Sequence, residues 1–152
     1  MTSQLAQVNV ARLLAPIDST QLRGFVRELD AVNASAEAAP GFVWRLKTDE
    51  GNATTIRAFE WDVGEAAGII VNMSVWESVE QLRAWVNDVV HRSVLLQRRQ
   101  WFERAPEATT ALWWVEEGHR PTTDEAEQKL RDLRRDGPSP AVFDLRHHFG
   151  AT

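Results

Sequence analysis

Apolar and polar positions alternate with a period of two along several short stretches of the chain, and this pattern predicts β-strands. Four stretches are predicted to be strands: residues 4–14, 42–46, 69–76 and 109–115. Residues 42–46 form a compact apolar run, and the other three alternate or are rich in β-branched residues. The turn-forming residues that separate these stretches support a sheet of four strands.

Between the strands, apolar positions recur at helical spacing. A first helix is expected after the Asp18-Ser19-Thr20 cluster and is ended by Pro40-Gly41. A second is expected to begin at Ser78, with Gln81 as its capping-box partner, and to reach Phe102. A third runs from Thr122 to about Asp136, again with a capping box.

The order of elements is β-α-β-β-α-β with an extra C-terminal helix, which predicts an α+β, ferredoxin-like fold with one antiparallel sheet. We expect a single domain over residues 1–152, ending in a tail at 138–152 whose Phe143 docks on the body. Because such a unit has helices on one face only, the other face needs cover, and we expect a homodimer that completes a dimeric α/β barrel.

One long connection interrupts this order, at residues 49–68. Its middle, residues 54–59, is compatible with a short strand. A connection of this length is typical of a lid or a dimer arm, and a passive surface excursion fits equally well.

Composition narrows the classes of function. A formal net charge of -5 argues against a nucleic-acid-binding protein, and the basic positions Arg98, Arg99 and Arg104 are interpreted as a solvated face. The chain has no cysteine, which excludes thiol catalysis, and no His grouped with carboxylates at ligand spacing, so we expect no metal site. Without a basic leader or a run of about 20 apolar residues, the expectation is a cytoplasmic protein with no membrane partner.

The third strand carries the most informative pattern. Asn72, Ser74 and Trp76 point to one face, and Val71 and Met73 to the other. The first strand adds Gln7 and Asn9 to a face of the same kind. We expect the helices to cover the aliphatic face and leave the amides and the indole on the open face as a half-polar pocket. The alternative is a polar network in which the strand side chains satisfy one another.

Further candidates come from the other elements. Which residues of the second and fourth strands face the pocket is left open. The second strand offers either Phe42, Trp44 and Leu46 or Val43 and Arg45, and the fourth either Leu112 and Trp114 or Trp113. Trp44, Arg45 and Trp113 are the candidate binding residues. Arg45, a cation within an apolar strand, needs an anionic partner: Glu37, a residue of a second subunit or a substrate carboxylate. His91 is the candidate acid or base, and a surface histidine is the alternative.

The chain resembles a bacterial family known only as a domain of unknown function. The motifs that carry this resemblance are LAQVNVARL, APGFVWRL, IVNMSVWES, RRQWFE and ALWWVEEGHRPT, within about residues 4–143. More broadly, the layout and the Val75-Trp76-Glu77-Ser78 entry into a helix resemble the dimeric α/β-barrel proteins related to antibiotic-biosynthesis monooxygenases.

The broader resemblance implies two chemistries. Cofactor-independent monooxygenases of this kind use strand asparagines and a tryptophan, which match Asn9, Asn72 and Trp76 here. Haem-degrading members use an asparagine, a tryptophan and a histidine, for which Asn9, Trp85 and His91 stand, although His91 lies closer to Trp85 than that pattern expects.

We therefore expect an enzyme acting on a small aromatic or enolisable metabolite without a cofactor. The expected catalytic residues are Asn9, Asn72, Trp76 and His91. The expected substrate-binding residues are Gln7, Trp44, Arg45, Ser74, Trp85 and Trp113. The alternatives are a non-catalytic dimer that binds a hydrophobic molecule or haem, and a structural protein whose Trp-rich face is a dimer interface.

Overall fold

The computed structural model describes residues 2–47, 57–88 and 96–151. Its strands are β1 (Ser3–Arg12), β2 (Phe42–Arg45), β3 (Ile69–Trp76) and β4 (Thr110–Glu116). Its helices within those residues are α1 (Arg23–Ala38), α2 (Val79–Val86) and α3 (Thr123–Asp136), with short 3₁₀ turns at Glu60–Asp62 and Arg98–Gln100. The order of elements is the one that the sequence predicts.

All strand pairs are antiparallel, and the order across the sheet is β2-β3-β1-β4. This is the ferredoxin-like arrangement, with the first and third strands in the centre. The register sets Asn9 directly opposite Asn72 and Gln7 opposite Ser74. The two central strands therefore bring the polar positions together.

Local signals explain where two of the helices begin. Ser78 Oγ accepts a hydrogen bond from the backbone N–H of Gln81 at the start of α2, and Thr122 Oγ1 accepts one from Glu125 at the start of α3. The first helix begins at Arg23, later than the Asp18 cluster indicates, because residues 16–20 form a turn in which the N–H of Ser19 bonds to Pro16. Helix α2 ends at Val86, and the expected continuation past His91 falls partly on residues 89–95, which lie outside the described residues.

The expectation about which sheet face the helices cover is wrong. Helices α1 and α2 pack on the face that carries Leu5, Trp76 and Leu112, the same face as the strand amides. The aliphatic face, with Val8 and Met73, is covered instead by α3. Large apolar side chains on both faces allowed either arrangement, and α3 has an apolar stripe of its own (Ala126, Leu130 and Leu133) that must be buried.

This arrangement removes the geometric reason for expecting a second copy. The face opposite α1 and α2 is covered by α3 and by part of the long connection, with Val8 and Leu130 both fully buried. The homodimer stays a prediction without that support.

The described half of the long connection packs against α3. Ala58 and Phe59 are buried in the core beneath that helix, and the backbone N–H of Phe59 donates to Glu127 Oε1 at 2.9 Å. Trp61 Nε1 donates to the same oxygen at 2.6 Å, and the Arg131 guanidinium lies 4.4 Å from its ring centroid. Residues 57–59 are not a strand, and residues 54–56 lie outside the described part.

The C-terminal tail docks as expected. Phe143 is fully buried and forms backbone hydrogen bonds with Leu112 on the outer edge of β4. The tail therefore covers one edge of the sheet, which would otherwise expose unpaired backbone groups.

Candidate active site between the sheet and two helices

A cavity of about 480 Å³ lies between the polar face of the sheet and helices α1 and α2. This volume is in the range of small-molecule sites. Its uncharged polar lining residues are Gln7, Asn9, Asn33, Asn72, Thr109 and Thr110, and its apolar ones include Phe25, Leu29, Val32, Leu82, Trp85 and Phe102. The polar pocket that the strand pattern predicts is thus present, but it is roofed by the chain's own helices.

Three strand amides line the sheet side of the cavity; Gln7 and Asn72 are hydrogen-bonded to each other, and Asn9 is exposed. Gln7 Nε2 donates to Asn72 Oδ1 and to Ser74 Oγ, both at 2.8 Å. Asn9 Nδ2 donates to Thr110 Oγ1 at 2.6 Å. The bond from Gln7 Nε2 orients the Asn72 amide with its oxygen toward Gln7, so its N–H groups are the donors that it can offer to a ligand.

Trp76 lies behind these amides and does not line the cavity. It is fully buried, and its Nε1 donates to Ser74 Oγ at 2.8 Å. Its ring stacks on that of Trp85 at a centroid distance of 5.4 Å, and Trp85 is the indole that lines the cavity. Trp85 Nε1 in turn donates to Ser35 Oγ of α1 at 3.0 Å. The two expected indoles are therefore adjacent, with Trp85 in front and Trp76 and Ser74 supporting it.

Arg45 lies in the cavity wall and is 9% exposed. Its Nε is 3.5 Å from Glu37 Oε2, so the first of the expected anionic partners is in place. Asn33, which precedes Glu37 on α1, also lines the cavity and is 7% exposed. Among the described residues, no hydrogen bond to the Asn33 side chain is found.

Two of the expected site residues, Trp44 and Trp113, are not assembled with the others. Trp44 packs against the core beneath α3, on the opposite face from the cavity. Trp113 belongs to the same core, and its Nε1 donates to Glu125 Oε2 at 2.8 Å. His91 lies outside the described residues.

Sequence reasoning missed a buried carboxylate at one end of the cavity. Asp62 Oδ1 accepts from Arg12 Nη2 at 2.6 Å and from Arg134 Nη1 at 2.7 Å, and its side chain is 5% exposed. Burial alone would raise the pKa of Asp62, but the hydrogen bonds from Arg134 and Arg12 outweigh it and the pKa is lowered. The sequence shows only two acids, Glu60 and Asp62, on either side of Trp61 in a connection with no periodic pattern, and this does not reveal the partners of Asp62.

The cavity opens beside the 3₁₀ turn at Arg98–Gln100. Arg98 and Arg99 line it and are exposed, and Glu103 and Phe102 follow on the same wall. All three arginines of this basic stretch are exposed, as the interpretation of a solvated face predicts, and Arg98 and Arg99 also border the cavity.

The described residues offer little to a metal or to haem. None of the groups of His, Asp and Glu in residues 2–47, 57–88 and 96–151 is placed to hold a metal ion. The cavity-lining residues there include no His, Cys, Met or Tyr, the side chains that ligate haem iron, so they do not fit a haem. In this same part of the chain, no helix has the length and apolar character needed to cross a bilayer.

Comparison with known proteins supplies the family. The chain belongs to the family described as "Domain of unknown function (DUF3291)", which it matches over residues 4–152. No match was found among curated proteins.

Several solved structures are similar at low sequence identity. PA3566 from Pseudomonas aeruginosa is 11% identical, with a TM-score of 0.49 over 80% of this chain and 98% of that one. NE2512 from Nitrosomonas europaea, a protein of unknown function, is 10% identical with a TM-score of 0.47 over 80% and 95%. SnoaB from Streptomyces nogalater, a cofactor-independent oxygenase, is 14% identical with a TM-score of 0.45 over 80% and 97%. Similarity at this level says nothing about the chemistry of this chain.

Proposed function

We propose that the protein is a cofactor-independent, monooxygenase-like enzyme that acts on a small aromatic or enolisable metabolite in the cavity between the sheet and helices α1 and α2. The observation that carries the proposal is the convergence of Asn9, Asn72 and Trp85 on one cavity. The sequence resemblance to monooxygenases with strand asparagines supports the same chemistry.

The amides supply the electrostatic part of this chemistry. When an enolisable ketone or a phenol loses a proton, negative charge develops on its oxygen. The N–H groups of Asn72, aimed by the bond from Gln7 Nε2 to its oxygen, would stabilise that charge. The face of Trp85 would hold the ring system flat against the apolar wall.

Dioxygen is the co-reactant in the proposed step. A CH₂ group flanked by aromatic rings reacts with O₂ to give C=O and H₂O, so one oxygen atom enters the product and the other leaves as water. The carbon is oxidised, and O₂ receives the four electrons that the two C–H bonds give up. Asp62, held ionised by two arginines, is a weak base, which leaves Glu103 as the carboxylate among the described lining residues for the first proton.

Anthrone is a suitable probe, because its conversion to anthraquinone and water follows this balance. We expect the protein to accelerate anthrone-dependent O₂ uptake above the uncatalysed rate, and Asn72→Asp to lower the rate by roughly 100-fold. The introduced carboxylate still accepts the bond from Gln7, but it presents an oxygen instead of N–H groups to the substrate.

Asn87→Asp is the matched control, because Asn87 is an exposed residue at the end of α2 that does not line the cavity. It should keep the wild-type rate. Equal rates for wild type and Asn72→Asp, with both folded by circular dichroism, would exclude the proposed role of the amide.

A second candidate, a binding protein that leaves its ligand unchanged, is favoured by one observation. Gln7, Ser74 and Trp76 already satisfy one another through hydrogen bonds, and Trp76 is shielded from the cavity. This candidate predicts that anthrone binds, that Asn72→Asp abolishes the binding, and that bound anthrone oxidises only at the uncatalysed rate.

The homodimer remains part of the proposal, on a different basis. A dimer would give cover to exposed apolar side chains, of which Leu96, Val26 and Leu14 are 85%, 44% and 43% exposed. Light scattering should give twice the 17.2 kDa mass of the chain, and a single-chain mass would contradict the dimer.

A further inference from the structure

Arg98 and Arg99 differ from the other arginines of the cavity in having no carboxylate partner within the described part of the chain. Arg12 is bonded to Asp62, and Arg45 lies 3.5 Å from Glu37. Across residues 2–47, 57–88 and 96–151, no carboxylate lies within 4.0 Å of the Arg98 or Arg99 guanidinium. Within the described residues, the cavity rim thus carries two positive charges that form no ion pair, although the whole chain has a net charge of -5.

The arginines also repel one another at this rim. Partial withdrawal of its guanidinium from water, together with the positive charges of Arg104 and Arg98, lowers the pKa of Arg99. A cluster of like charges without counter-charges costs free energy, and an anion bound among them would relieve that cost.

Apart from Glu103, the side chains that line the cavity near this rim are apolar or aromatic. Phe102 is one of them and lies edge-on to Phe25 at a centroid distance of 5.1 Å, and Leu29 and Trp85 continue the lining. A ligand that fits would therefore have a flat apolar body with an anionic group at the end that faces solvent. Arginine is suited to a carboxylate because its planar fork matches both oxygens.

We propose that the substrate carries a carboxylate, which Arg98 and Arg99 bind at the mouth of the cavity while its aromatic body lies inside. This inference rests on the proposed function and narrows its substrate class from aromatic or enolisable metabolites to aromatic acids. Arg98 and Arg99 set specificity in this scheme and take no part in the oxidation itself.

Two probes of similar shape test it: 2-naphthol and 6-hydroxy-2-naphthoate, which differ by one carboxylate. Binding is measured by isothermal titration at pH 7 and low salt. We expect the wild-type protein to bind the carboxylate compound at least about tenfold more tightly, the size of effect of one good charge-assisted contact. The preference should shrink at high salt, because the rim is exposed and screened.

The variant Arg98→Gln/Arg99→Gln should bind both probes equally and keep the wild-type affinity for 2-naphthol. The matched control is Arg104→Gln, which removes an exposed arginine of the same cluster that does not line the cavity. It should keep most of the preference.

The outcomes separate the two proposals. If wild type binds both probes equally, or the double variant keeps the preference, the carboxylate inference is wrong and the proposed function stands. If neither probe binds the wild-type protein, both fail, since the cavity then does not accept an aromatic ligand.

Discussion

At the scale of single residues, Gln7 decides what kind of atom the sheet side of the cavity presents. Its Nε2 donates to both Asn72 Oδ1 and Ser74 Oγ, and Ser74 also accepts from Trp76, whose indole nitrogen can only donate. Gln7, Ser74 and Trp76 are each 4% exposed or less, so water cannot replace the hydrogen bonds among them. Asn72 is consequently held with its N–H groups outward.

The variant Gln7→Glu reverses this polarity while it keeps the shape of the side chain. The ionised carboxylate of the variant can only accept, so Asn72 would turn its N–H groups inward and its oxygen toward the substrate. We expect kcat for anthrone oxidation to fall at least about tenfold at pH 8.

The dependence of Gln7→Glu activity on pH distinguishes a changed orientation of Asn72 from a loss of folding. Burial raises the pKa of a carboxyl, so the side chain introduced by Gln7→Glu should take up a proton in mildly acidic solution and regain a donor. The activity of Gln7→Glu relative to wild type should then rise as the pH falls. A ratio that stays constant with pH would contradict the positioning role of Gln7.

At the scale of elements, the sequence predicted the order, the strand limits and the capped helix starts, since these depend on local patterns. It also predicted that Asn9, Asn72 and Gln7 share one face. It did not predict which helices cover that face, because Leu5 and Trp76 make it nearly as apolar as the opposite one. That choice depends on α3. The apolar stripe of α3 packs on the aliphatic face, and these contacts join residues that are distant in sequence.

The turn between α1 and β2 gives a prediction at this scale. Gly41 has φ = +86°, and a Cβ there would meet the side chain of Gln81 at the start of α2. Gly118 has a similar φ of +89° with open space around it. The variant Gly118→Ala should therefore cost about 1 kcal/mol of unfolding free energy from backbone strain alone.

The variant Gly41→Ala adds the clash with Gln81 to the same strain, and we expect it to cost at least about 1 kcal/mol more. Urea unfolding of the two variants measures the difference. Equal costs would mean that α2 moves away from the turn without penalty, and that the roof of the cavity is not fixed there.

At the scale of the whole molecule, one carboxylate joins three segments that are distant in sequence. Asp62, in the long connection, bonds to Arg12 at the end of β1 and to Arg134 near the end of α3. Arg134 also donates from Nε to the backbone oxygen of Ala108, just before β4. This cluster holds α3 on the aliphatic face and closes one end of the cavity.

Replacing Asp62 by Asn should destabilise the protein by about 3 kcal/mol, because it leaves two partly buried guanidinium groups without their counter-charge. The control is Asp136→Asn, which removes an exposed carboxylate paired with Arg135 and should change the free energy of unfolding little. The two variants remove the same chemical group, so a difference between them reports the burial of the Asp62 pair.

The same carboxylate sets an expected dependence of stability on pH. The pKa of Asp62 in the folded protein is below its ordinary value of 3.8, so its stabilisation is fully present above that value and is lost as the pH falls through the lower, folded-state pKa. Wild-type unfolding free energy, measured by urea between pH 6 and pH 2, should therefore fall more steeply below about pH 4 than that of Asp62→Asn. Parallel curves would show that Asp62 is not held ionised by Arg12 and Arg134. The position of α3 would then depend on its apolar stripe and on the hydrogen bonds that Glu125 and Glu127 accept.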